Sequence, residues 1–383
     1  MADVQGTCDE RFAGVRDIFQ RNLDSGADVG ASVAVLVDGE PVVDLWGGWV
    51  DEEHSAPWER DTITNVWSTT KTMTFLCALM LADRGELDFH APVTRYWPEF
   101  GAAGKEGIEV RHLMSHTAGL AGFTDPLEPE DLADWELCTA RLAAQEPWWE
   151  PGSASGYHAV TQGYLIGEVV RRITGTSIGR WFADEVAKPL GADFAIGLPE
   201  EEDRRVSLVI PPPPQALDRV DPALLDPDGF PFRAFTNPPL DAAAPHLGWW
   251  RRAEIPAANG HGNARSVAAI QSVIAGAGQS AGNRLLSEST CDVIFDEQSN
   301  GTDLVLRVPM RFGMGYGLGG ELIPMGPRAC FWGGMGGSII VMDQDTRLTV
   351  CYVMNKMAPD IIGDTRGFDL AMAAVVGALD AGS

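Results

Sequence analysis

Positive charge is scarce in this chain, and lysine scarcest of all. Its 383 residues carry 54 acidic and 28 basic side chains, for a net charge of −26. Only Lys71, Lys105, Lys188 and Lys356 are lysines. So acidic a chain is repelled by phosphate backbones and by anionic lipid, which argues against nucleic acid and an anionic membrane surface as partners. Solubility is the ordinary meaning of such a charge. Long apolar runs are also missing, and no stretch approaches transmembrane length. The opening, Met1-Ala2-Asp3-Val4-Gln5-Gly6-Thr7-Cys8-Asp9-Glu10, lacks the basic and apolar segments of a secretory signal. The six cysteines (Cys8, Cys77, Cys138, Cys291, Cys330, Cys351) show no Cys-x-x-Cys spacing, and several lie in apolar surroundings, as buried thiols do. These absences lead us to expect a reduced, cytoplasmic protein that does not engage a membrane.

What remains is an ordinary globular composition, 45% apolar and 21% charged, long enough for two lobes. Phe12, Val15, Ile18, Phe19 and Leu23 recur at helical spacing between Cys8 and Asp24. Two β-rich runs, Ser32–Val37 and Pro41–Trp46, flank Asp38-Gly39 and read as a hairpin. A second hairpin is expected from Ser338–Met342 and Leu348–Met354 around Asp343-Gln344-Asp345. Gly313–Leu318 is glycine-rich and could form an extended strand closely approached by other backbone. Helices are expected at 161–173, 264–275 and 368–379. Hairpins near both ends predict an α+β fold: one antiparallel sheet made from both termini, flanked by the terminal helices, with a mainly helical lobe inserted. The expected division is a sheet domain of 1–66 and 280–383 and a helical domain of 67–279. Residues 198–247, proline-rich around Pro211-Pro212-Pro213-Pro214, are expected to run over the surface as a long irregular connection, a candidate lid.

The chain is organised around Ser68-Thr69-Thr70-Lys71. A helix is predicted from Ser68 to Asp83 or Arg84, stopped by Gly85. Ser68 then stands at the helix N-terminus and Lys71 one turn later on the same face. A serine hydroxyl needs a base before it attacks, and a nearby lysine amine can serve. First-turn N–H groups could hold an anion at the same place. A capping serine beside a solvated lysine is the plainer reading, but a cation at a helix N-terminus opposes the helix dipole. Tyr157, in the loop Pro151-Gly152-Ser153-Ala154-Ser155-Gly156-Tyr157-His158-Ala159, is a second candidate. It could act as a base if a neighbouring ammonium such as Lys71 lowered its pKa; packing on its own helix is the alternative. The third is Phe331-Trp332-Gly333-Gly334-Met335-Gly336-Gly337-Ser338. Glycines there would let a ligand approach backbone N–H groups, or would simply make a flexible turn.

In order along the chain, Ser68-Thr69-Thr70-Lys71, His112-Leu113-Met114-Ser115-His116-Thr117-Ala118-Gly119-Leu120, Tyr157-His158-Ala159 and Trp332-Gly333-Gly334 resemble the motifs of the serine β-lactamase and penicillin-binding-protein superfamily. The spacing is most similar to class C β-lactamases and family VIII carboxylesterases, over residues 10–380. The resemblance implies a β-lactamase/transpeptidase-like fold. It implies Ser68 as the acylated nucleophile, Lys71 in its proton network, Tyr157 as general base and later acid, and an oxyanion hole from the Ser68 and Met335 N–H groups. Trp332, Gly333 and Gly334 would contact substrate. Two departures from the class C pattern matter: Ala159 replaces the asparagine of Tyr-x-Asn, and Trp332 replaces the lysine of Lys-Thr-Gly. A tryptophan cannot bind a lactam carboxylate as that lysine does, whereas an apolar platform suits an uncharged ester. The resemblance therefore implies hydrolysis of short-chain carboxylic esters as small-molecule substrates, weak or absent β-lactamase activity, and no cofactor or metal.

Rival readings are a class C-like β-lactamase or DD-peptidase, and a non-catalytic module that is acylated once or never. The joint presence of Ser68, Lys71 and Tyr157 argues against the last. Gly175-Thr176-Ser177-Ile178-Gly179 matches Gly-x-Ser-x-Gly, the nucleophile elbow of α/β-hydrolases, but that elbow needs a strand before it. Here a helix precedes, so Gly175 reads as its cap and Ser177 as the N-cap of the next helix. His112 and His116 are four apart, yet the zincin glutamate is missing, so a structural histidine near a helix end is expected. Trp148, Trp149, Trp249 and Trp250 could line an acyl pocket or simply pack.

Overall fold

The computed structural model describes residues 3–212, 225–321, 323–359 and 364–379. Nine antiparallel strands form the main sheet: β1 (Gln5–Cys8), β2 (Gly30–Val37), β3 (Glu40–Gly48), β4 (Ser299–Thr302), β5 (Pro309–Phe312), β6 (Gly317–Leu318), β7 (Ala329–Gly333), β8 (Ile339–Asp343) and β9 (Leu348–Met354). Their order is β1-β3-β2-β9-β8-β7-β6-β5-β4. Both expected hairpins are present, and they meet at the centre, where Leu348 pairs with Val37 and Met354 with Ala31. The two ends of the chain thus build one sheet. Every residue of β9 is buried, so both faces of the central strand are covered. That explains the unbroken apolar run Leu348–Met354, which lacks the alternation of a half-exposed strand.

Helix α1 (Ala13–Asp24) packs on α5 (Thr365–Leu379), which in turn lies on β9. Helix α4 (Ala264–Ala275) packs on β2, β8 and β9. It therefore belongs with the sheet in packing, although it lies before residue 280. Helix α2 (Lys71–Asp83) is buried on all sides from Lys71 to Leu81, the setting of a helix apolar all round. Gly85 follows with φ +72°, the left-handed stop expected there. Helix α3 (Thr161–Thr174) packs on α2. Among the described residues no helix is long and apolar enough to cross a membrane.

Several expectations shift. The helix expected from Cys8 starts only at Ala13. Gln5–Cys8 pairs instead with β3, and the Asp9 carboxylate accepts the Arg11 N–H to begin a 3-10 turn. Edge pairing, invisible to local periodicity, took those residues. Gly313–Leu318 is not one extended strand. The Gly313 N–H bonds the Tyr316 carbonyl, Gly315 has φ +94°, and only Gly317–Leu318 pairs. The close backbone approach is real, since a Cβ on Gly313 would overlap the Ile294 carbonyl. The last helix begins at Thr365, before Phe368. The stretch 198–247 is less irregular than its prolines suggest. It contains a 3-10 helix, Glu200–Arg205, and a helix, Phe230–Thr236. Pro213 and Pro214, with the rest of the candidate lid through 224, lie outside the described residues.

Candidate active site

Ser68 sits in a 3-10 turn, Trp67–Thr70, that leads into α2. From Thr62 to Leu81 it is the one residue that is not buried. The turn is conformationally unusual: Trp67 has φ +48°, an uncommon value for a bulky residue. It is held by packing on Trp250, ring centroids 5.5 Å apart. Strain of this kind persists where surrounding structure enforces it, and it often marks functional sites.

Three side chains converge here. Lys71 Nζ lies 3.0 Å from Ser68 Oγ, 2.7 Å from the Ala159 carbonyl and 2.9 Å from the Ala257 carbonyl. Lys71 is wholly buried, and burial pushes its pKa well below the ordinary lysine value. Nζ donates to all three oxygens, and burial disfavours its charged form. The Tyr157 hydroxyl donates to the same Oγ at 2.7 Å. Burial raises the Tyr157 pKa above its ordinary value, and the nearby Asp303 charge adds to the rise, so the phenol keeps its proton. The sequence-based idea that a Lys71 ammonium would pull this pKa down is reversed here, because burial acts on both groups and drives each toward its neutral form. Ser68 Oγ therefore accepts from both the Tyr157 hydroxyl and Lys71 Nζ.

Behind Tyr157 lies a histidine pair that the sequence did not single out for this place. His116, with φ +62°, accepts the His158 N–H on Nδ1 at 3.0 Å. Its carbonyl accepts the Gly156 N–H at 2.9 Å. Its ring stands 5.0 Å from the Tyr157 ring. His158 donates from Nδ1 to the Gly156 carbonyl and accepts the Leu120 N–H on Nε2 at 3.0 Å. Burial lowers both histidine pKa values, that of His158 to about 3, so both rings stay neutral. His112 instead closes a capping box with Glu109 at the head of Val110–Met114. No metal-capable cluster occurs among the described residues.

The glycine turn comes to the same place from the sheet. β7 ends at Gly333, and a Cβ on Gly334 would overlap the Val66 carbonyl and Ser338 Oγ. Ser338 Oγ contacts the Val66 carbonyl and Thr69 Oγ1, each at 2.9 Å. Arg366 Nη2 donates to the Gly336 carbonyl at 2.9 Å. The Met335 N–H has no backbone acceptor among the described residues. Ser338 and Arg366 were missed because their roles exist only once distant segments meet. Trp332 is not an open platform: it is 4% exposed and stacked on His116 at 5.4 Å, with Phe75 edge-on at 5.2 Å.

The remaining candidates fall elsewhere. Ser177 occupies the expected N-cap position of Ile178–Phe182, but its hydroxyl makes no capping bond. It donates to Glu254 Oε1 at 2.7 Å, while Glu254 Oε2 accepts the Gly179 N–H at 2.9 Å, so Glu254 supplies the cap. Trp250 is buried and donates to Asn65; Trp249 packs edge-on against it at 5.8 Å. Trp148 and Trp149 pack on Phe230, in a small apolar cluster that also touches Tyr157.

Comparison with known proteins places this geometry among relatives. The beta-lactamase family profile matches residues 15–371. The chain is 36% identical over 375 residues to the esterase/beta-lactamase LipL of Mycobacterium tuberculosis, covering 95% of this chain and 86% of that protein. The solved structure of a family VIII carboxylesterase superposes with a TM-score of 0.90 at 42% identity, covering 97% of this chain and 99% of its own. EstA from Arthrobacter nitroguajacolicus superposes with a TM-score of 0.88 at 31% identity, covering 99% and 100%.

Proposed function

The chain belongs to the beta-lactamase family, and from that premise we propose that it hydrolyses short-chain carboxylic esters through an acyl-enzyme on Ser68. The observation that carries this is the convergence of Tyr157 and Lys71 on Ser68 Oγ, at 2.7 Å and 3.0 Å. The relatives named as esterases support the choice of substrate. The position of the lactam-binding lysine is occupied by the buried Trp332, which offers no charge, so β-lactam turnover is weak or absent. The free state of all six cysteines supports a reducing, cytoplasmic setting.

In acylation, Ser68 gives its proton to the neutral Lys71 amine as Oγ bonds to the ester carbonyl carbon. The resulting oxyanion is held by the N–H groups of Ser68 and Met335. As the bond to the alcohol breaks, Tyr157 protonates the departing alkoxide, and the Lys71 ammonium restores the proton to Tyr157. Water then repeats the sequence in reverse, releasing the acid and restoring Ser68. Lys71 therefore takes the base role in attack and Tyr157 the acid role, the assignment favoured by two groups that burial holds neutral. No metal or organic cofactor enters.

The test is burst-phase hydrolysis of p-nitrophenyl acetate and butyrate by wild type, Ser68→Ala and Ser177→Ala, with nitrocefin alongside. Loss confined to Ser68→Ala, with nitrocefin barely turned over, supports the proposal. A dead Ser177→Ala overturns the site. Faster turnover of nitrocefin than of the esters overturns the substrate class.

A further inference from the structure

Tyr157 is gripped at its backbone by a residue from the edge hairpin of the sheet. Asp303 lies in the loop between β4 and β5, and it is wholly buried. Its Oδ1 accepts the N–H groups of Tyr157 at 3.0 Å, Val305 at 2.9 Å and Leu306 at 2.8 Å. The loop closes on itself, with the Arg307 N–H on the Asp303 carbonyl and the Asp303 N–H on the Val308 carbonyl, both at 3.0 Å. It grips the preceding segment too, since the Leu304 N–H donates to the Ser155 carbonyl at 2.8 Å. One carboxylate oxygen therefore ties a rigid loop to the backbone that carries the tyrosine, through charge-assisted bonds stronger than neutral ones. A tyrosine has only two side-chain torsions, so the place its hydroxyl reaches is set largely by where its backbone is held.

We propose that Asp303 is a positioning residue for Tyr157, fixing the backbone from which the phenol reaches Ser68 Oγ at 2.7 Å. The inference rests on the reading of Tyr157 as the proton donor to the leaving alkoxide. The Asp303 charge acts in the same sense, because it favours the protonated phenol. The other titratable groups around the phenol are Lys71 from α2, and His116 and His158 from the loops before and after it. Burial lowers the pKa of all three. Loss of the bracket lets the phenol drift, and a displacement of about 1 Å can cost about 100-fold in rate.

The experiment measures kcat and KM for p-nitrophenyl butyrate, per titrated active site, in Asp303→Ala, Asp303→Glu and Asp303→Asn, each in wild-type and Tyr157→Phe backgrounds. Asp303→Glu moves the carboxylate by one methylene and keeps the charge, so it serves should the alanine variant not fold. Alanine and glutamate are expected to lower kcat by about 10- to 100-fold with KM within about threefold. Asparagine, which keeps the Oδ1 acceptor, is expected to restore most of the rate. In the Tyr157→Phe background the further loss from Asp303→Ala should vanish, since residues acting as one unit are not additive. Wild-type kcat per site in both the alanine and glutamate variants overturns the proposal, as does an undiminished loss in the Tyr157→Phe background. Full activity of Tyr157→Phe alone overturns the reading of the tyrosine, a result read independently of Asp303.

Discussion

Two serines of this chain stand at the head of a helix, and their surroundings differ in kind. Ser68 is flanked by a buried amine and a half-buried tyrosine, and its turn is pinned by Ser338 from the glycine turn. Ser177 meets a single carboxylate, Glu254, which also accepts a helix N–H. The first arrangement brings two proton-bearing groups, Tyr157 and Lys71, onto one hydroxyl oxygen. The second satisfies hydrogen-bonding groups and ends there. A short motif thus says little; the difference lies in what the rest of the fold brings to the hydroxyl and whether burial has tuned it.

The comparison breaks most visibly at Lys71. Lys71→Ala should lower kcat/KM for p-nitrophenyl butyrate by about 10³- to 10⁴-fold, the scale of a lost general base acting on a nucleophile. The pH profile carries the same information. A lysine pKa lowered by burial widens the pH range in which the amine is free, and activity is expected to fall as pH falls and Lys71 gains its proton. Since the Tyr157 pKa is raised from 10.0, no loss is expected on the alkaline side below about pH 10. A rate that instead rises on an alkaline limb, as tyrosinate forms, would return the base role to Tyr157.

A smaller effect separates two glycines. Gly334→Ala must displace the turn that carries Met335, because its Cβ would overlap Val66 and Ser338. A kcat loss of about 100-fold is expected. Gly175, beside Ser177, has φ +71° but no atoms within 4 Å of an added Cβ. Gly175→Ala should cost about 1 kcal/mol of stability by denaturant titration and leave kcat unchanged. Equal kinetic losses in both would remove the distinction drawn between the two regions.

The smallest change is expected at Glu254. Glu254→Ala deprives the Gly179 N–H of its acceptor and should lower stability by about 1 kcal/mol, as the loss of a cap does. Its effect on kcat should lie within about twofold. A large kinetic loss there would make the Ser177 region more than a helix terminus.

Much of this protein was legible before any coordinates. The hairpins at 30–48 and 339–354 follow from β-rich runs around short turns. Helix α4 follows from apolar periodicity, and the Ser68–Lys71 pair from one turn of local spacing. Periodicity and turn chemistry are local physics, and a local window contains them. Cys8 was misread as helical, and its strand was not seen, because Gln5–Cys8 owes its state to pairing with β3. Asp303 carried no signal, since a lone aspartate in a loop looks the same whether it faces water or brackets Tyr157. The protonation states were also beyond the sequence. It placed a lysine and a tyrosine where they could meet and suggested that the first would acidify the second. Enclosure by the fold, which removes water from both, makes the charged form of each costly.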